Sequence, residues 1–417
     1  MQAGPWVYAM KTILTKPYRW LFFATIILIP ELLGQDIGIT PEGRLDQIQE
    51  QRSQKAGSLG LEPSVASGKN FGQIAHIMRL VPISFDVGGL GSGAGPAINF
   101  NIDETTYRGR LPVRIWGHVA VHGFYTVGSG AELRNVSAHD LTFALQGSYS
   151  DAPQLEYYGE GRNSSIHNRT NFRREDTLFS FRVGLRTHHD LAEICRFGQL
   201  LLHIGPGTND DLATTQSVFG SSEAPGIDDQ SNYLIAGCSV QLDLRDFPHD
   251  PHNGTYAEAV FDRYYAESQG RFSFYRLSLT GEQYVPHFNS KRVIALRAKT
   301  ELSFHSGDQV VPFYLQPTLA SDTELRGFRR YRFYDENSIS LTAEYRWEIS
   351  TGFDVALFVD GANVFHRPGE ISLSQLASSA GFGFRFKNQS QRKAIARLDA
   401  GFSREGFQVW LKIEKLF

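Results

Sequence analysis

Two short histidine–aspartate runs contain the residue types most suited to acid–base or metal chemistry. They are His188-His189-Asp190 and His249-Asp250-Pro251-His252. An imidazole can act as a general base near neutral pH, and a neighbouring carboxylate can orient it. Neither run lies beside a nucleophile motif or has metal-ligand spacing, and both fall where turns are predicted. We interpret them as solvated turn histidines and predict no catalytic residue, metal or cofactor; a hydrolase is retained as an alternative.

Arg326 is suited to a different kind of interaction, which is ion pairing with carboxylates in a poorly hydrated site. Arg326 lies in the segment 306–336, which lacks sustained alternation of apolar and polar residues. Two alternating runs follow it, and their polar faces contain Glu344 and Asp360 respectively. An unpaired buried guanidinium is costly, so such an arginine needs carboxylate partners. We predict that Arg326 pairs with Asp360 through two hydrogen bonds and that Glu344 supports the pair.

The runs around Arg326 are part of a pattern that predicts an all-β architecture. Alternating runs of about ten residues, the length that a tilted strand needs to cross a bilayer, are separated by Gly, Asn, Asp and Pro clusters. A soluble sandwich could alternate in the same way, but the sustained repetition favours a transmembrane antiparallel β-barrel of about sixteen strands. The predicted strands are 78–87, 95–104, 112–122, 126–138, 140–150, 172–188, 195–208, 232–246, 255–266, 271–286, 291–305, 337–350, 352–364, 376–387, 393–403 and 406–417.

The predicted connections alternate in length, as they do in outer-membrane barrels. Short joints include 189–194, whereas 151–171, 209–231 and 306–336 are long. With an even number of strands, both chain ends lie on the side of the short, periplasmic turns. The segment that contains Arg326 is then an outer loop.

Composition agrees with a β-barrel and excludes some other classes. The 417 residues include 40 glycines and 12% aromatic residues, a bias that fits strands better than helices. The formal net charge of −3 gives no strong attraction to nucleic acid. The two cysteines, Cys195 and Cys238, are too few for a disulfide scaffold. We interpret them as separate residues of the barrel wall, with a bridge between them as the alternative.

The first part of the chain has the pattern of a targeting segment. In the segment 1–34, basic residues precede an apolar stretch. This apolar stretch is too short to span a bilayer comfortably, so we predict that 1–34 is a cleaved signal peptide. An uncleaved anchor is the alternative, and Met1 and Met10 are both possible starts. The polar segment 35–77 is predicted to be a short flexible periplasmic segment. The barrel is predicted to cover 78–417.

Three motifs together resemble the bacterial surface antigen superfamily of outer-membrane barrels. They are Leu325-Arg326-Gly327-Phe328, Phe358-Val359-Asp360 and a chain that ends on Phe417. This superfamily includes the BamA-like and TamA-like insertases and the two-partner secretion transporters. The resemblance implies that the tip of a long extracellular loop folds into the barrel lumen.

The resemblance also implies which residues hold that tip in place. Arg326 would dock on Phe358 and Asp360 and on Glu344 between them, with the guanidinium over the aromatic ring. Gly327 would be required because the backbone approaches the wall closely there. Phe328 completes the predicted set of residues that anchor the loop in the lumen.

Two further motifs resemble segments of the same superfamily. Asp243, Arg245, Asp246 and Gly254 are predicted to form a periplasmic turn in which Asp243 and Arg245 share a strand face and Asp246 caps the turn. The run Tyr157-Tyr158-Gly159-Glu160-Gly161 lies near the predicted outer rim, and we interpret its aromatic residues as interfacial.

The C-terminal run has alternate apolar residues and ends on an aromatic residue. It resembles the signal that the outer-membrane assembly machinery recognises, and a last strand with an accidental terminal phenylalanine is the alternative. The residues of this predicted assembly signal are Phe407, Val409, Leu411, Ile413 and Phe417.

The resemblance implies a function without catalytic chemistry, which is the insertion or translocation of polypeptide or lipid at the outer membrane. The expected partners are the lipid bilayer, the assembly machinery through the C-terminal strand, and a client polypeptide or a periplasmic partner protein. Insertases of the superfamily have periplasmic POTRA domains, and 35–77 is too short and too polar for even one. A passive or plugged pore is therefore kept as the alternative function.

Overall fold

The fold that the chain adopts is seen in a computed structural model. It describes residues 83–88, 97–106, 111–133, 141–188, 190–248, 250–287, 291–388 and 393–413. The predicted signal peptide at 1–34 and the predicted periplasmic segment at 35–77 lie outside the described residues. The division of the chain at residues 34 and 77 therefore stays a prediction.

Sixteen antiparallel strands form one closed barrel, which confirms the predicted fold class. Each strand pairs with its neighbours in the chain, except that β11 pairs with β14 across the long loop and β1 pairs with β18. The barrel strands are β1 (Ile83–Gly88), β2 (Ala97–Thr106), β3 (Leu111–Ala120), β4 (Tyr125–Leu133), β5 (Thr142–Tyr157), β6 (Thr170–His188), β7 (Leu191–Pro206), β8 (Tyr233–Asp243), β9 (Gly254–Ala266), β10 (Phe274–His287), β11 (Arg292–Phe304), β14 (Asn337–Ser350), β15 (Phe353–Phe365), β16 (Ala377–Asn388), β17 (Lys393–Ser403) and β18 (Gly406–Ile413).

Alternation along the strands separates an apolar outer face from a polar lumen. On β15, the side chains of Leu357 and Val359 are 57% and 58% exposed, whereas Phe358 and Asp360 on the other face are buried. In water such exposed aliphatic residues would be unfavourable, but a barrel in a membrane presents this face to lipid. The outer face is therefore the lipid-facing surface.

The strands β5 and β7 are longer than predicted. The structure continues β5 to Tyr157, and β7 begins at Leu191, so the predicted connections 151–171 and 189–194 are both shorter. The polar residues that suggested a loop pair with one another on the outer face of the strands, on the same side as the exposed Phe179 and Phe181. Arg173 of β6, for example, donates from Nε to Asp151 Oδ1 at 3.0 Å. Ion pairing across neighbouring strands thus lets a polar sequence extend the sheet.

The long loop between β11 and β14 folds back onto the lumen side of the wall. It contains a small two-stranded sheet of β12 (Thr318–Leu319) and β13 (Phe333–Tyr334). The helix α1 (Thr215–Val218) lies in the connection between β7 and β8. No helix within the described part of the chain is long and apolar enough to cross a membrane.

The two cysteines are bonded to each other, which contradicts the interpretation of two separate wall cysteines. Cys195 on β7 and Cys238 on β8 are register partners, and their sulfurs form a disulfide. Directly opposite positions on neighbouring antiparallel strands bring two side chains within a few ångströms. The bridge thus joins neighbouring strands of the wall.

Among the described residues, the junction of β1 with β18 is the shortest in the barrel. Within the described residues only two register pairs join these strands, Val87 with Ile413 and Gly88 with Lys412. By comparison, β17 and β18 share eight pairs, from Ala396–Ile413 to Ser403–Gly406. The number of backbone hydrogen bonds between two strands increases with the number of paired residues. The junction of β1 with β18, called the seam below, is therefore the weakest part of the described wall.

The lipid-facing assignment of the outer surface predicts the effect of a charge there. We expect Leu357→Arg to destabilise the barrel in lipid vesicles by about 2–4 kcal/mol, the usual cost of arginine near the bilayer midplane. Urea unfolding followed by tryptophan fluorescence measures this loss. The control is Leu373→Arg, at a 63% exposed residue of the outer loop between β15 and β16. Equal effects of the two substitutions would contradict the assignment.

Candidate functional site: the anchor of the lumen loop

The guanidinium of Arg326 binds Asp360 of β15 through two side-chain hydrogen bonds. Nε donates to Oδ2 at 3.1 Å and Nη2 donates to Oδ1 at 2.9 Å, while the backbone N–H of Arg326 also donates to Oδ2 at 2.9 Å. Both side chains are almost completely buried. Three donors on one carboxylate fix the loop tip in position and in orientation, because the planar fork of arginine matches the two carboxylate oxygens.

Two further predicted partners surround the same guanidinium. Nη1 donates to Glu344 Oε2 of β14 at 2.8 Å, and the guanidinium carbon lies 3.3 Å from the centroid of the Phe358 ring. The ring covers one face of the cation, where its negative quadrupole is favourable. Asp399 of β17 adds a longer contact of 3.5 Å from Nη1.

Three arginines that sequence reasoning did not place extend this pair into a network. Arg346 Nε donates to Glu344 Oε1 at 2.8 Å, Arg397 Nε donates to Asp399 Oδ2 at 2.7 Å, and Arg385 bonds both Glu344 and Asp399. Alternation of apolar and polar residues indicates only that all three lie on polar strand faces. Nothing in the sequence indicated that they and Asp399 converge on the loop tip.

The backbone of the loop tip is held by the last two strands. Trp410 of β18 donates from Nε1 to the carbonyl oxygen of Arg326 at 2.8 Å, and Ser403 of β17 donates from Oγ to the carbonyl oxygen of Gly327 at 2.7 Å. A Cβ on Gly327 would lie 2.7 Å from the backbone of Phe402. The close approach predicted for this glycine therefore exists in the structure.

The wall has glycines where the tip rests on it. A Cβ on Gly401 of β17 would lie 2.5 Å from the carbonyl carbon of Arg326, and one on Gly381 of β16 would lie 2.5 Å from the ring of Phe358. Distances below 3.0 Å require something to move. Small residues on both sides of the contact thus allow the loop and the wall to meet backbone to backbone.

The residues next to Arg326 also stabilise the bend. Leu325 has φ +53°, a left-handed conformation that is costly for a residue with a Cβ, and its side chain is completely buried. Phe328 packs edge-on against Phe333 of β13 and belongs to a buried apolar cluster that includes Val364 of β15. Burial of these side chains offsets the strained turn.

A second arginine joins the loop to the hairpin between β17 and β18. Arg332 Nε donates to Glu405 Oε2 at 2.9 Å, and Nη2 donates to the carbonyl oxygen of Ser164 at 2.6 Å. Its guanidinium lies 4.8 Å from the ring centroid of Tyr158. The interpretation of Tyr157 and Tyr158 as interfacial aromatics is wrong, since both are completely buried against the loop.

Comparison with known proteins agrees with this geometry. The family model of the Omp85 superfamily domain matches residues 139–390, which is more than half of the chain. The chain belongs to the Omp85 superfamily. It is therefore an outer-membrane β-barrel protein, and the resemblance inferred from Arg326, Phe358 and Asp360 is confirmed.

Several solved Omp85-like barrels share the fold at low sequence identity. BamA from Haemophilus ducreyi lacking POTRA domains 1–3 is 14% identical with a TM-score of 0.61, and the match covers 80% of this chain and 69% of that one. CdiB from Escherichia coli is 15% identical with a TM-score of 0.51, covering 80% and 62%. CdiB from Acinetobacter baumannii is 11% identical with a TM-score of 0.50, covering 80% and 59%. This Omp85 chain thus spans less than two thirds of either CdiB chain. A search of curated protein sequences gave no match.

The predicted periplasmic turn follows β8, which ends at Asp243. Arg245 lies beyond the strand, so the prediction that it shares a strand face with Asp243 is wrong. It donates instead from Nε to Asp243 Oδ1 at 2.8 Å and from Nη2 to Oδ2 at 2.7 Å. Asp246 Oδ1 accepts from the backbone N–H groups of Phe247 and His252, each at 2.9 Å. Gly254 has φ +112°, and a Cβ there would lie 2.2 Å from the carbonyl oxygen of Leu244. These four residues form a compact turn.

One part of the histidine interpretation is wrong. His188 is exposed, but His252 is buried beside Asp250 in the turn after β8. Asp250 is itself buried because Lys387 Nζ of β16 donates to its Oδ1 at 2.7 Å. A lumen-facing lysine thus draws this turn inward, whereas the sequence indicated only a polar turn.

The C-terminal strand shows the predicted alternation. Phe407 and Val409 of β18 face outward, Leu411 is intermediate in exposure, and the intervening Trp410 is buried in the lumen. The side chain of Ile413 and the residue Phe417 lie outside the described side chains. The role of these residues as an assembly signal stays a prediction.

The pairing of Arg326 with Asp360 predicts strongly coupled substitutions. We expect Arg326→Ala to lower the stability of the loop by about 3 kcal/mol, because it leaves buried carboxylates without their cation. Arg326→Lys should also be impaired, since an ammonium cannot make both side-chain bonds to Asp360. Protease protection of the outer loop and urea unfolding measure both variants.

A double-mutant cycle tests the contact itself. Combining Arg326→Ala with Asp360→Ala is expected to show a coupling energy of about 1–3 kcal/mol. The matched control is the exposed pair Arg271–Asp229, whose side chains are both 48% exposed and should couple by less than about 1 kcal/mol. Strictly additive effects at 326 and 360 would show that these residues do not interact.

A buried acid beside the loop predicts a pH effect. Burial, partly offset by a hydrogen bond from Gln316, raises the pKa of Glu160 from 4.5 to about 7, and the nearby Asp335 adds to the increase. The folded state therefore favours the protonated acid, and its stability falls as the pH rises from about 4.5 to 7. We expect Glu160→Gln to increase protease resistance of the outer loops at pH 8 and to change little at pH 4.5. Glu223→Gln, at an exposed loop residue, is the control. Equal behaviour of the two variants at pH 8 would contradict this prediction.

Proposed function

We propose that this Omp85 barrel inserts or translocates polypeptide at the outer membrane by opening between β1 and β18. The observation that supports this proposal is the seam itself, where two register pairs close the barrel in the described residues. A strand with free backbone donors and acceptors can add a client strand by the same hydrogen bonds that build a sheet. Client folding and strand pairing supply the free energy, so no catalytic residue or cofactor is needed.

The packing of the loop supports an opening that leaves the anchor intact. The loop tip is bonded to β17 and β18 through Ser403 and Trp410, and Arg332 is bonded to Glu405 between those strands. Separation of β1 from β18 breaks none of these bonds. In this proposal the anchored loop keeps β18 in place as a template while the seam is open.

The proposed partners follow from the same geometry. The lipid bilayer surrounds the apolar outer face, and a client polypeptide pairs at the seam. The outer-membrane assembly machinery recognises the C-terminal strand, and a periplasmic partner protein delivers the client. A plugged pore is the competing function, and the deep burial of Arg326 in the lumen favours it as a second candidate.

A reversible bridge across the seam distinguishes the two functions. In a Cys195→Ser/Cys238→Ser background, the substitutions Val87→Cys and Ile413→Cys place a cysteine pair at register partners on β1 and β18. We expect oxidation to abolish folding of an outer-membrane client into vesicles, and reductant to restore it. The readout is heat-modifiable mobility of the client on gels.

A bridge that does not cross the seam is the matched control. Leu398→Cys and Leu411→Cys join register partners on β17 and β18 in the same background. This bridge should leave client folding unchanged. Full activity of the oxidised 87–413 variant would favour the plugged pore and contradict the proposed opening.

A further inference from the structure

A cavity in the lumen lies away from the anchor and has a marked excess of arginine. Its volume is about 480 Å³, and it lies between the wall from β5 to β10 and the loop residues 314–316. The charged residues that line it are Arg174, Arg182, Arg196, Arg276 and Asp176. The anchor network does not include any of these five residues among its described contacts.

Three of these arginines form a transverse row across the barrel wall. Arg182 of β6 is the register partner of Arg196 of β7, which is the partner of Gly237 of β8. Gly237 is the partner of Asp262 of β9, which is the partner of Arg276 of β10. Strands lie about 4.8 Å apart, so the row is about 19 Å long.

The pairing of Arg182 with Arg196 is unfavourable in the protein alone. Like charges directly opposite on neighbouring strands repel each other. Arg196 is compensated by Asp262, since Nε donates to Oδ1 at 2.8 Å. Gly237 makes this possible, because a Cβ there would lie 2.0 Å from Asp262 Oδ1 and block the path across β8.

The other two arginines of the row have neutral hydrogen-bond partners. Arg182 Nη2 donates to Gln146 Oε1 at 2.9 Å, and Arg276 Nη2 donates to the carbonyl oxygen of Leu315 at 2.7 Å. The Nε of Arg276 is buried and has no hydrogen-bond partner. These contacts orient the guanidinium groups without neutralising their charge.

The remaining charges do not balance the row. Arg174 lies near Asp176, with 3.5 Å between Nε and Oδ1, and it donates from Nη1 to the carbonyl oxygen of Tyr314 at 2.9 Å. With Asp262 counted as the partner of Arg196, four guanidinium groups therefore face two carboxylates. Guanidinium groups bind carboxylates and phosphates through paired hydrogen bonds, and a low-dielectric wall strengthens the local potential.

We infer that this cavity binds an extended acidic segment of a polypeptide along the arginine row. The inference rests on the proposed function and gives the chemical class of its client. A single small anion would reach one arginine pair, whereas an extended chain with about 3.3 Å per residue would place about six residues along the row. Leucine and tyrosine side chains beside the row contact the apolar residues between the acids. They are Leu178, Leu200, Tyr264 and Leu315.

Peptide binding to the whole purified barrel in detergent tests this inference. The probe is a fluorescein-labelled decapeptide with glutamate alternating with alanine, and the comparison peptide has glutamine in place of glutamate. We expect the acidic peptide to bind at least tenfold more tightly by fluorescence anisotropy at low ionic strength. Equal affinities of the two peptides would overturn the inference.

Substitutions in β6 identify the row as the binding site. Arg182→Gln should weaken binding of the acidic peptide at least fivefold, and the fold should be kept because a like-charge pair is relieved. The matched control is Arg186→Gln, on the same face of the same strand but outside the cavity lining. Heat-modifiable mobility checks folding of both variants. An equal loss of affinity in the control would show a general charge effect and overturn the assignment to the row.

A competition assay distinguishes the acidic polypeptide from a small anion, and a client-folding assay distinguishes this inference from the proposed function. Pyrophosphate that displaces the acidic peptide at equal molar concentration would show a small-anion site and contradict the polypeptide occupant. If client folding occurs in vesicles but the acidic peptide is not preferred, the inference fails and the proposed function stands. If the acidic peptide binds at the row and clients do not fold, the proposed function fails instead.

Discussion

Burial of one guanidinium in the barrel lumen is the constraint on which the loop and the surrounding wall depend. Arg326 is 1% exposed, and a charge so far from water is tolerated only with closely placed partners. Strands β14, β15 and β17 each contribute one carboxylate, from Glu344, Asp360 and Asp399. Because those acids are themselves buried, the arginine and the acids stabilise one another and neither set is stable alone.

Because the loop is bonded to β17 and β18, the two strands of the seam differ in their contacts. The loop is bonded to β17 and β18, and Trp410 links the backbone of Arg326 directly to the last strand. On the other side, β1 meets β18 through two register pairs within the described residues. Within the described residues, separating β1 from β18 therefore breaks fewer register pairs than separating β17 from β18. The proposed opening between β1 and β18 would use this difference, because it leaves the contacts of the loop with β17 and β18 intact.

The sequence predicted the barrel and the central contact, but not the surroundings of that contact. Alternation is strong because lipid on one side and a polar lumen on the other impose a period of two on every strand. Arg326, Glu344 and Asp360 could be predicted because the motifs around Arg326 and Asp360 resemble those of the superfamily and because a guanidinium away from water needs acids nearby. The roles of Asp399 and Arg385 could not, because many lumen-facing charges alternate equally well and only the path of the loop decides which of them meet. The path of the loop also buries Tyr157, whereas His252 is buried beside Asp250 in the turn after β8, which contacts Lys387.

The two halves of the lumen use arginine in opposite ways. In the half that holds the loop, Arg346, Arg385 and Arg397 each bond a carboxylate that also contacts Arg326, so each of these arginines has a carboxylate partner. In the half from β6 to β10, Arg182 faces Arg196 across the sheet and gains only a neutral partner. Stability alone would favour an acid at one of these positions. A row in which Arg182 and Arg276 bond neutral partners, beside an open cavity, suits the proposed recognition of an external anion, since the binding energy comes from charges that the fold leaves unneutralised.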